Sequence, residues 1–401
     1  MLFKKYLGLT VIFYSLLLKT FPASNTIEEN PYPFFFLPHV AQGNSSVAYA
    51  EGFGALFSNP AGFAVPKGEL NLLSWETTIF STPEERLPLL RSLLLGSMSE
   101  EDEETLSQGL TTSALGVSSL FSLGYVGKGV GLGLMGGFDV VTGGEQYPLA
   151  LEGDAFSQFM LVIGYAVQKN IRGTQLFLGG DIRPLIRIHA PLGPQETALM
   201  LQEYLGTNIQ PLEGDFFSDV YALNGYGVGI DLGCMVKADN FSFGMALRDL
   251  FDTRLFYSWN DLDSIRSTLT AGGLPSENSL PRDAVYTIPM TVYVGAAYDI
   301  RINPLRGILE GRIHVEVEQP SRLWDAPTWN TYQDSIRGGM EWTLFSALSL
   351  RTGFYKGSPT YGLGLKISIL NINWAYFTRT IELSQGTREV PGLGMEVAIR
   401  W

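Results

Sequence analysis

The chain has 401 residues, a net charge of −13, and only 17% charged residues against 45 glycines, 18 tyrosines and 24 phenylalanines. The acidity excludes nucleic acid as a partner, and low charge with abundant glycine and aromatics does not describe a cytosolic enzyme. The single cysteine, Cys234, excludes an internal disulfide and a cysteine-built metal cluster.

Met1 to Ser24 reads as a secretory signal: Lys4 and Lys5 precede an apolar stretch, Leu7 to Leu18, and Ala23 and Ser24 offer small residues for cleavage. That stretch is too short to cross a bilayer, and no later apolar run approaches the ~18 residues a spanning helix needs. The expected divisions are 1–24 signal, 25–67 an N-terminal plug, and 68–401 a barrel.

Gly43 to Val65 is almost free of charge, with Glu51 its only ionisable residue. It lacks strand alternation, and Asn59-Pro60-Ala61-Gly62 is a turn and breaker cluster. Small residues, Phe53, Phe57 and this turn suit a compact plug packed inside something larger. From Gly68 onward the pattern has period two, with about 14 candidate strands of roughly ten residues. They cover 68–81, 115–126, 130–142, 156–169, 174–190, 219–237, 240–257, 285–300, 306–318, 333–345, 346–356, 360–370, 371–380 and 392–401. In 174–190 the even positions hold Leu176, Leu178, Ile182, Ile186 and Ile188, while the odd positions hold Gln175, Asp181, Arg183, Arg187 and His189. In 306–318, Ile313, Val315 and Val317 oppose Arg312, His314, Glu316 and Glu318. An apolar face outside and a polar face inside is what lipid and a polar lumen require, because closure is how a sheet satisfies its edges in a bilayer. Tyr165, Tyr298, Trp342, Trp374 and Tyr376 near strand ends suit an aromatic girdle, and short connections alternate with long ones. The last run alternates Leu393, Met395, Val397 and Ile399 with Gly394, Glu396, Ala398 and Arg400 and ends on Trp401.

The Gly43–Val65 run, with its Asn59-Pro60-Ala61, resembles the hatch of the long-chain fatty acid transporter (FadL/TodX) family of bacterial outer-membrane proteins. The resemblance covers the whole chain after the signal in architecture and this run as a motif. It implies an all-β fold, a 14-stranded antiparallel transmembrane β-barrel with the hatch in its lumen, placed in the bacterial outer membrane by the barrel assembly machinery. Its partners would be fatty acids or other hydrophobic small molecules, together with outer-membrane lipid. Phe53, Phe57, Asn59, Pro60, Ala61 and Gly62 would form the hatch gate. Family members open laterally at a kinked third strand, and the third strand here carries Gly136-Gly137, where adjacent glycines permit a bulge. Helical third and fourth outer loops form an apolar landing groove in the family. Here Gln195 to Leu205, with Leu199 and Leu205, and Asp261 to Leu269 have helical character, as do Pro88 to Leu95 and Glu100 to Glu104.

Arg183 and Arg187 share the inward face of one strand and would serve either as the cation for a ligand carboxylate or as partners of lumen acids such as Asp181. Gly131, Gly133, Gly137, Gly227, Gly229 and Gly233 fall on inward faces and leave room for an occupant, hatch or ligand. The scattered His39, His189 and His314 form no metal motif, and no Ser/His/Asp grouping points to catalysis, so neither an enzyme nor a cofactor is expected. The alternative is a scaffold or adhesin of the same architecture without transport; the distinguishing feature would be a continuous apolar cavity behind Phe53 and Phe57.

Overall fold

The computed structural model describes residues 26–28, 36–86, 99–112, 114–144, 151–205, 216–271, 285–301, 308–383 and 386–401. The signal expected over Met1–Ser24 and the helix expected over Pro88–Leu95 lie outside them. The strands are β1 (Thr26–Glu28), β2 (Glu69–Phe80), β3 (Leu115–Gly127), β4 (Val130–Gly144), β5 (Leu151–Ile171), β6 (Thr174–Leu192), β7 (Tyr221–Ala238), β8 (Phe241–Arg248) and β9 (Thr253–Asp261). They continue with β10 (Val285–Ile288), β11 (Thr291–Arg301), β12 (Leu309–Glu318), β13 (Ile336–Leu344), β14 (Leu348–Tyr355), β15 (Ser358–Ile367), β16 (Leu370–Leu383) and β17 (Gly386–Arg400). Each wall strand pairs antiparallel with its neighbours, and β17 pairs with β2 to close the ring. β8 and β9 are two halves of one wall strand, because both pair with β7, and β10 and β11 are likewise one. The wall therefore has fourteen strands. β1 stands apart and pairs parallel with β10.

The burial pattern is inverted relative to a water-soluble sheet. On β5, Phe159, Leu161, Ile163, Tyr165 and Val167 are exposed, while Gln158, Met160 and Val162 are buried. On β6, Leu178 and Ile182 face out and Asp181, Arg183 and Arg187 face in; on β12, Ile313 and Val315 face out and His314 and Glu316 face in. Exposed apolar side chains on one parity around a closed ring are a lipid-facing surface, since only closure leaves no unsatisfied sheet edge in hydrocarbon. No helix among the described residues is long and apolar enough to cross a membrane. The tight turns follow their residues: Lys128-Gly129, Arg172-Gly173 and Lys356-Gly357 all have positive φ, the geometry that two-residue hairpins demand.

Three expected outer helices are present: Glu100–Thr112, Pro194–Leu205 and Leu262–Thr270, the last capped by Asp261, whose side chain accepts from the Ser264 N–H. The expected bulge at Gly136-Gly137 is not. β4 pairs with β3 and with β5 in unbroken register through both glycines, and the Phe159 ring lies against the Cα of Gly136. The wall is closed there because every ladder partner is in place. The interruption lies instead in the seventh wall strand, expected to run continuously over 240–257, and in the eighth at Pro289-Met290, between β10 and β11.

The C-terminal residue completes the ring. Trp401 exchanges both backbone hydrogen bonds with Leu70, at 2.8 and 2.9 Å, and the residue is 83% exposed. Deleting Trp401 removes two closing bonds and an interfacial aromatic. The expected result is a severalfold fall in folded, surface-exposed barrel, read by heat-modifiable gel mobility; a normal amount would refute it.

Candidate functional site

Residues 36–65 contact the inner face of the wall on all sides. The segment is short of charged donors and acceptors, so wall side chains satisfy its backbone. Glu76 accepts from the Leu37 N–H (2.9 Å), Thr360 from the Gly43 N–H (3.0 Å), and Glu316 Oε2 from both Ser46 and Val47 N–H (2.8 Å each). Glu316 Oε1 is meanwhile held by Arg337, which lies over the Tyr293 ring. Glycines in the wall provide the clearance. Phe63 packs on Gly131 and Gly164, Leu56 on Gly133, Val47 on Gly244, Gln42 on Gly339 and Gly353, and Leu37 on Gly394. Of the inward glycines singled out in the sequence, Gly131, Gly133 and Gly233 meet this segment, whereas Gly227 and Gly229 meet the backbone and side chains of β9 and its approach.

Asn59 is the centre of these contacts. It is fully buried, and its Oδ1 accepts from the Ala61 N–H (3.0 Å), starting the 3-10 turn Pro60–Ala64. Its Nδ2 donates to the carbonyls of Val47 (2.8 Å), Cys234 (3.1 Å) and Met245 (3.3 Å). One amide thus joins two stretches of the segment to β7 and β8. Pro60, Ala61 and Gly62 are buried with it, and Gly62 has no room for a side chain against the Ala50 carbonyl. Phe53 is buried in a cluster with Phe36, Phe63 and Leu56, and Phe57 stacks on Phe36 at 4.9 Å. Burial, with His314 and Arg351 nearby, pushes the His39 imidazole down to about 3, so it stays neutral and shares a hydrogen bond with Ser46 Oγ at 3.2 Å. Glu51 faces the opposite end, where Arg312 (3.0 Å) and Lys237 (3.9 Å) hold it.

Beside the segment lies a cavity of about 640 Å³, bounded by Phe36, His39, Phe57 and Ser58 and reaching Arg322, Asp334 and Lys356 at the long-connection end. Its walls are not the continuous apolar cavity that would distinguish a transporter from a scaffold. Arg183, Arg187, Arg248, Arg337 and Arg379 line it, along with Asp249, Glu316 and Glu318. Most of this charge is paired: Arg379 grips Asp139 with two bonds of 2.6 and 2.7 Å, and Arg337 holds Glu316 and Glu318. Phe53 does not line the cavity but is packed away at 1% exposure.

The two inward arginines have different surroundings. Arg183 Nη2 donates to Asp231 (2.5 Å) and Asp249 (3.1 Å), and Asp181 stands 3.7 Å from its Nε. Arg248 reaches the other oxygen of Asp231 (3.2 Å) and donates to the Phe57 carbonyl (2.6 Å). The Arg183 guanidinium is therefore committed to wall carboxylates. Arg187 is buried, lines the cavity, and donates to the neutral Gln158 at 2.8 Å. Leu199 is buried and does not line this cavity, and the Leu205 side chain is outside the description. A smaller hollow of about 220 Å³ near the Pro194–Leu205 helix is lined by Pro191, Glu196, Asp219, Tyr221 and Trp259, not by the leucines expected of a landing groove. No group of three His, Cys, Asp or Glu among the described residues is placed to hold a metal ion.

A closed antiparallel ring with a lipid-facing apolar band and a polar interior is a transmembrane barrel of the outer-membrane kind. No family model matches the chain, and no curated protein matches it. Among solved structures it is similar to the toluene transporter TbuX of Ralstonia pickettii, at 11% identity over 92% of this chain and 98% of that one, with a TM-score of 0.48. It is also similar to the toluene transporter TodX of P. putida (15% identity, 90% and 96% coverage, TM-score 0.43) and to a Pseudomonas aeruginosa FadL homologue (12%, 88% and 94%, 0.41). At such values the reading of this chain rests on its own geometry.

Proposed function

We propose that the chain is a passive outer-membrane channel for hydrophobic small molecules, with long-chain fatty acids as the favoured class, residues 25–67 serving as hatch and 68–401 as barrel. The observation that supports this reading is the cavity of about 640 Å³, reached from the long connections and floored by Phe36 and Phe57; its charged lining departs from the continuous apolar cavity set out above and leaves the apolar contact to these two rings. An apolar tail would lie against these rings. Among the five lining arginines we assign a carboxylate head to Arg187, which faces the cavity and donates to Gln158, because Arg183 is committed to Asp231 and Asp249. Leu199 and Leu205 would belong to an outer landing surface, and the barrel assembly machinery would insert the chain.

Uptake into vesicles of a fluorescent long-chain acid and of an alkane of equal length tests the reading. Both should enter faster than in protein-free vesicles, and equal rates with and without the barrel would overturn it. A charge-assisted hydrogen bond contributes about 1.5–3 kcal/mol. Arg187→Gln should therefore weaken binding of the acid roughly tenfold to a hundredfold and hardly alter the alkane, measured by tryptophan-fluorescence titration. Equal losses for acid and alkane would make Arg187 structural.

A further inference from the structure

At the long-connection end, β6, β7 and β9 carry the second hollow, of about 220 Å³, and its lining differs in kind from the cavity below. Parity places its residues on the wall. Pro191 has the parity of Arg183 and Arg187 on β6, and Tyr221 that of Leu223 and Asp231 on β7. Trp259 has the parity of the buried Leu255 and Tyr257 on β9. All three therefore belong to the inner face of the wall, at its rim. The register agrees, since His189 is opposite Leu223 and Leu223 opposite Trp259. The Tyr221 and Trp259 rings stack, with centroids 6.2 Å apart and planes 17° from parallel. Tyr221 is 48% exposed and Trp259 half-buried, so the rings are open to solvent. Glu196, in the first turn of the Pro194–Leu205 helix, and Asp219, at the end of the Phe216–Asp219 helix, complete the lining.

Two aromatic rings and two carboxylates, with no lysine or arginine among the described lining residues, make a site for positive charge. Aromatic faces are the negative pole of the ring quadrupole, and they accept the methyl groups of an alkylated ammonium as well as its charge. A sugar asks for donors and acceptors alike, whereas carboxylates only accept. A fatty acid would meet two like charges, and the described lining holds no leucine, isoleucine or valine for its tail. The volume falls below the roughly 300–1,000 Å³ of pockets for drug-sized ligands, so it admits a small cation rather than a whole amphiphile. The chain's net charge of −13 attracts the same sign of ligand. In the cavity below, Arg187 is opposite Gly225, four positions from Tyr221 and so about 13 Å along β7 at about 3.3 Å per residue. The sign of the lining charge therefore reverses between the rim and Arg187.

We propose that this rim hollow binds an organic ammonium ion, with an alkylated nitrogen against Trp259 and Tyr221 and its charge balanced by Glu196 and Asp219. An alkylated ammonium suits the hollow better than a bare metal cation, because the rings replace water around its methyl groups and offer a metal no ligand atom. The hollow lies on the inner face, so its occupant arrives as a solute from the medium rather than as a head group of the surrounding bilayer. Binding here does not depend on the transport reading, and a barrel that takes up no fatty acid would still show it.

The test is calorimetric titration of the full barrel in a maltoside detergent, which carries no ammonium group. Choline is the probe, and dimethylbutanol, its uncharged carbon isostere, is the control of equal shape. Choline should bind at least about tenfold more tightly than the alcohol, the order expected of a cation over aromatic faces beside carboxylates. Glu196→Gln combined with Asp219→Asn should abolish most of that preference, and Trp259→Leu should weaken choline roughly fivefold or more. Heat-modifiable gel mobility checks folding. Trp259 also packs against the buried cluster around Phe63, so the pair of rim substitutions carries the test if Trp259→Leu does not fold. Equal binding of choline and the alcohol, or a preference that survives loss of both carboxylates, would overturn the site. Binding of glucose instead of choline, or of none of the three, would do the same. Repeating the titration in phosphatidylcholine and in phosphatidylglycerol vesicles identifies the source. Equal affinity in both supports a free solute, and weaker binding in phosphatidylcholine alone would overturn that assignment in favour of a lipid head group of the same chemistry.

Discussion

Asn59→Ala should leave the barrel folded and make it leak. The replacement removes three donated hydrogen bonds and one accepted bond. Two of these, to the Cys234 and Met245 carbonyls, reach the wall; at roughly 1 kcal/mol net for each hydrogen bond, about 2 kcal/mol of attachment disappears. The population of barrels with a displaced segment should then rise roughly thirtyfold, since each 1.4 kcal/mol is a factor of ten. The wall should survive because the β7 and β8 ladder bonds between Leu232–Ala238 and Phe241–Leu247 do not involve the amide. Single-barrel ion conductance in planar bilayers measures the effect, with heat-modifiable gel mobility as the check on folding. Asn59→Asp keeps the acceptor and loses the donors, so it should leak as well. Unchanged conductance in a folded Asn59→Ala barrel would show that the segment is held by its packing on glycines alone and would remove the gating role proposed for the turn.

The alternating wall is the part that could be read from the chain alone. Inward and outward positions of β6 and β12 differ by a whole class of side chain, and a one-residue slip would place Arg183 or Glu316 in lipid. Inward glycines were legible as clearance, but not what would fill it: Phe63 over Gly131 and Asn59 beside Gly233 are contacts between residues 68 and 174 positions apart. The Arg183 cluster was hidden for the same reason, because Asp231 and Asp249 come from other strands. The break in the seventh strand shows as a change of face along the strand. In the structure, outward residues are odd-numbered before it, at Phe241, Phe243 and Met245, and even-numbered after it, at Arg254 and Phe256, though the apolar run Leu255-Phe256-Tyr257 hides that change in the sequence. An unbroken strand cannot change parity, so the reversal demands an irregularity between them. Paired glycines at Gly136-Gly137 are a weaker sign than such a reversal, because glycine also serves simply to admit a neighbour, here the Phe159 ring.

The cluster beside that break gives the second large expectation. Arg183→Gln leaves Asp181, Asp231 and Asp249 with Arg248 as the one remaining guanidinium in the group, all but Arg248 at 5% exposure or less. Removing one partner from a buried ionic group costs about 3–5 kcal/mol, because the abandoned charges stay desolvated. The loss should fall on the joint between β7, β8 and β9, seen as faster backbone amide exchange from Val228 to Thr253 and a lower temperature for the heat-modifiable gel shift. A second substitution, Asp249→Asn, removes a carboxylate that no longer has its partner, so the double variant should regain a substantial part of the stability, the non-additive result expected of residues in one network. Acid and alkane should be affected alike, since Arg183 has no free geometry for a ligand head. A silent Arg183→Gln, or a double variant no more stable than the single one, would mean that these charges do not hold the wall together at this level. A loss confined to the acid would instead return Arg183 to the ligand.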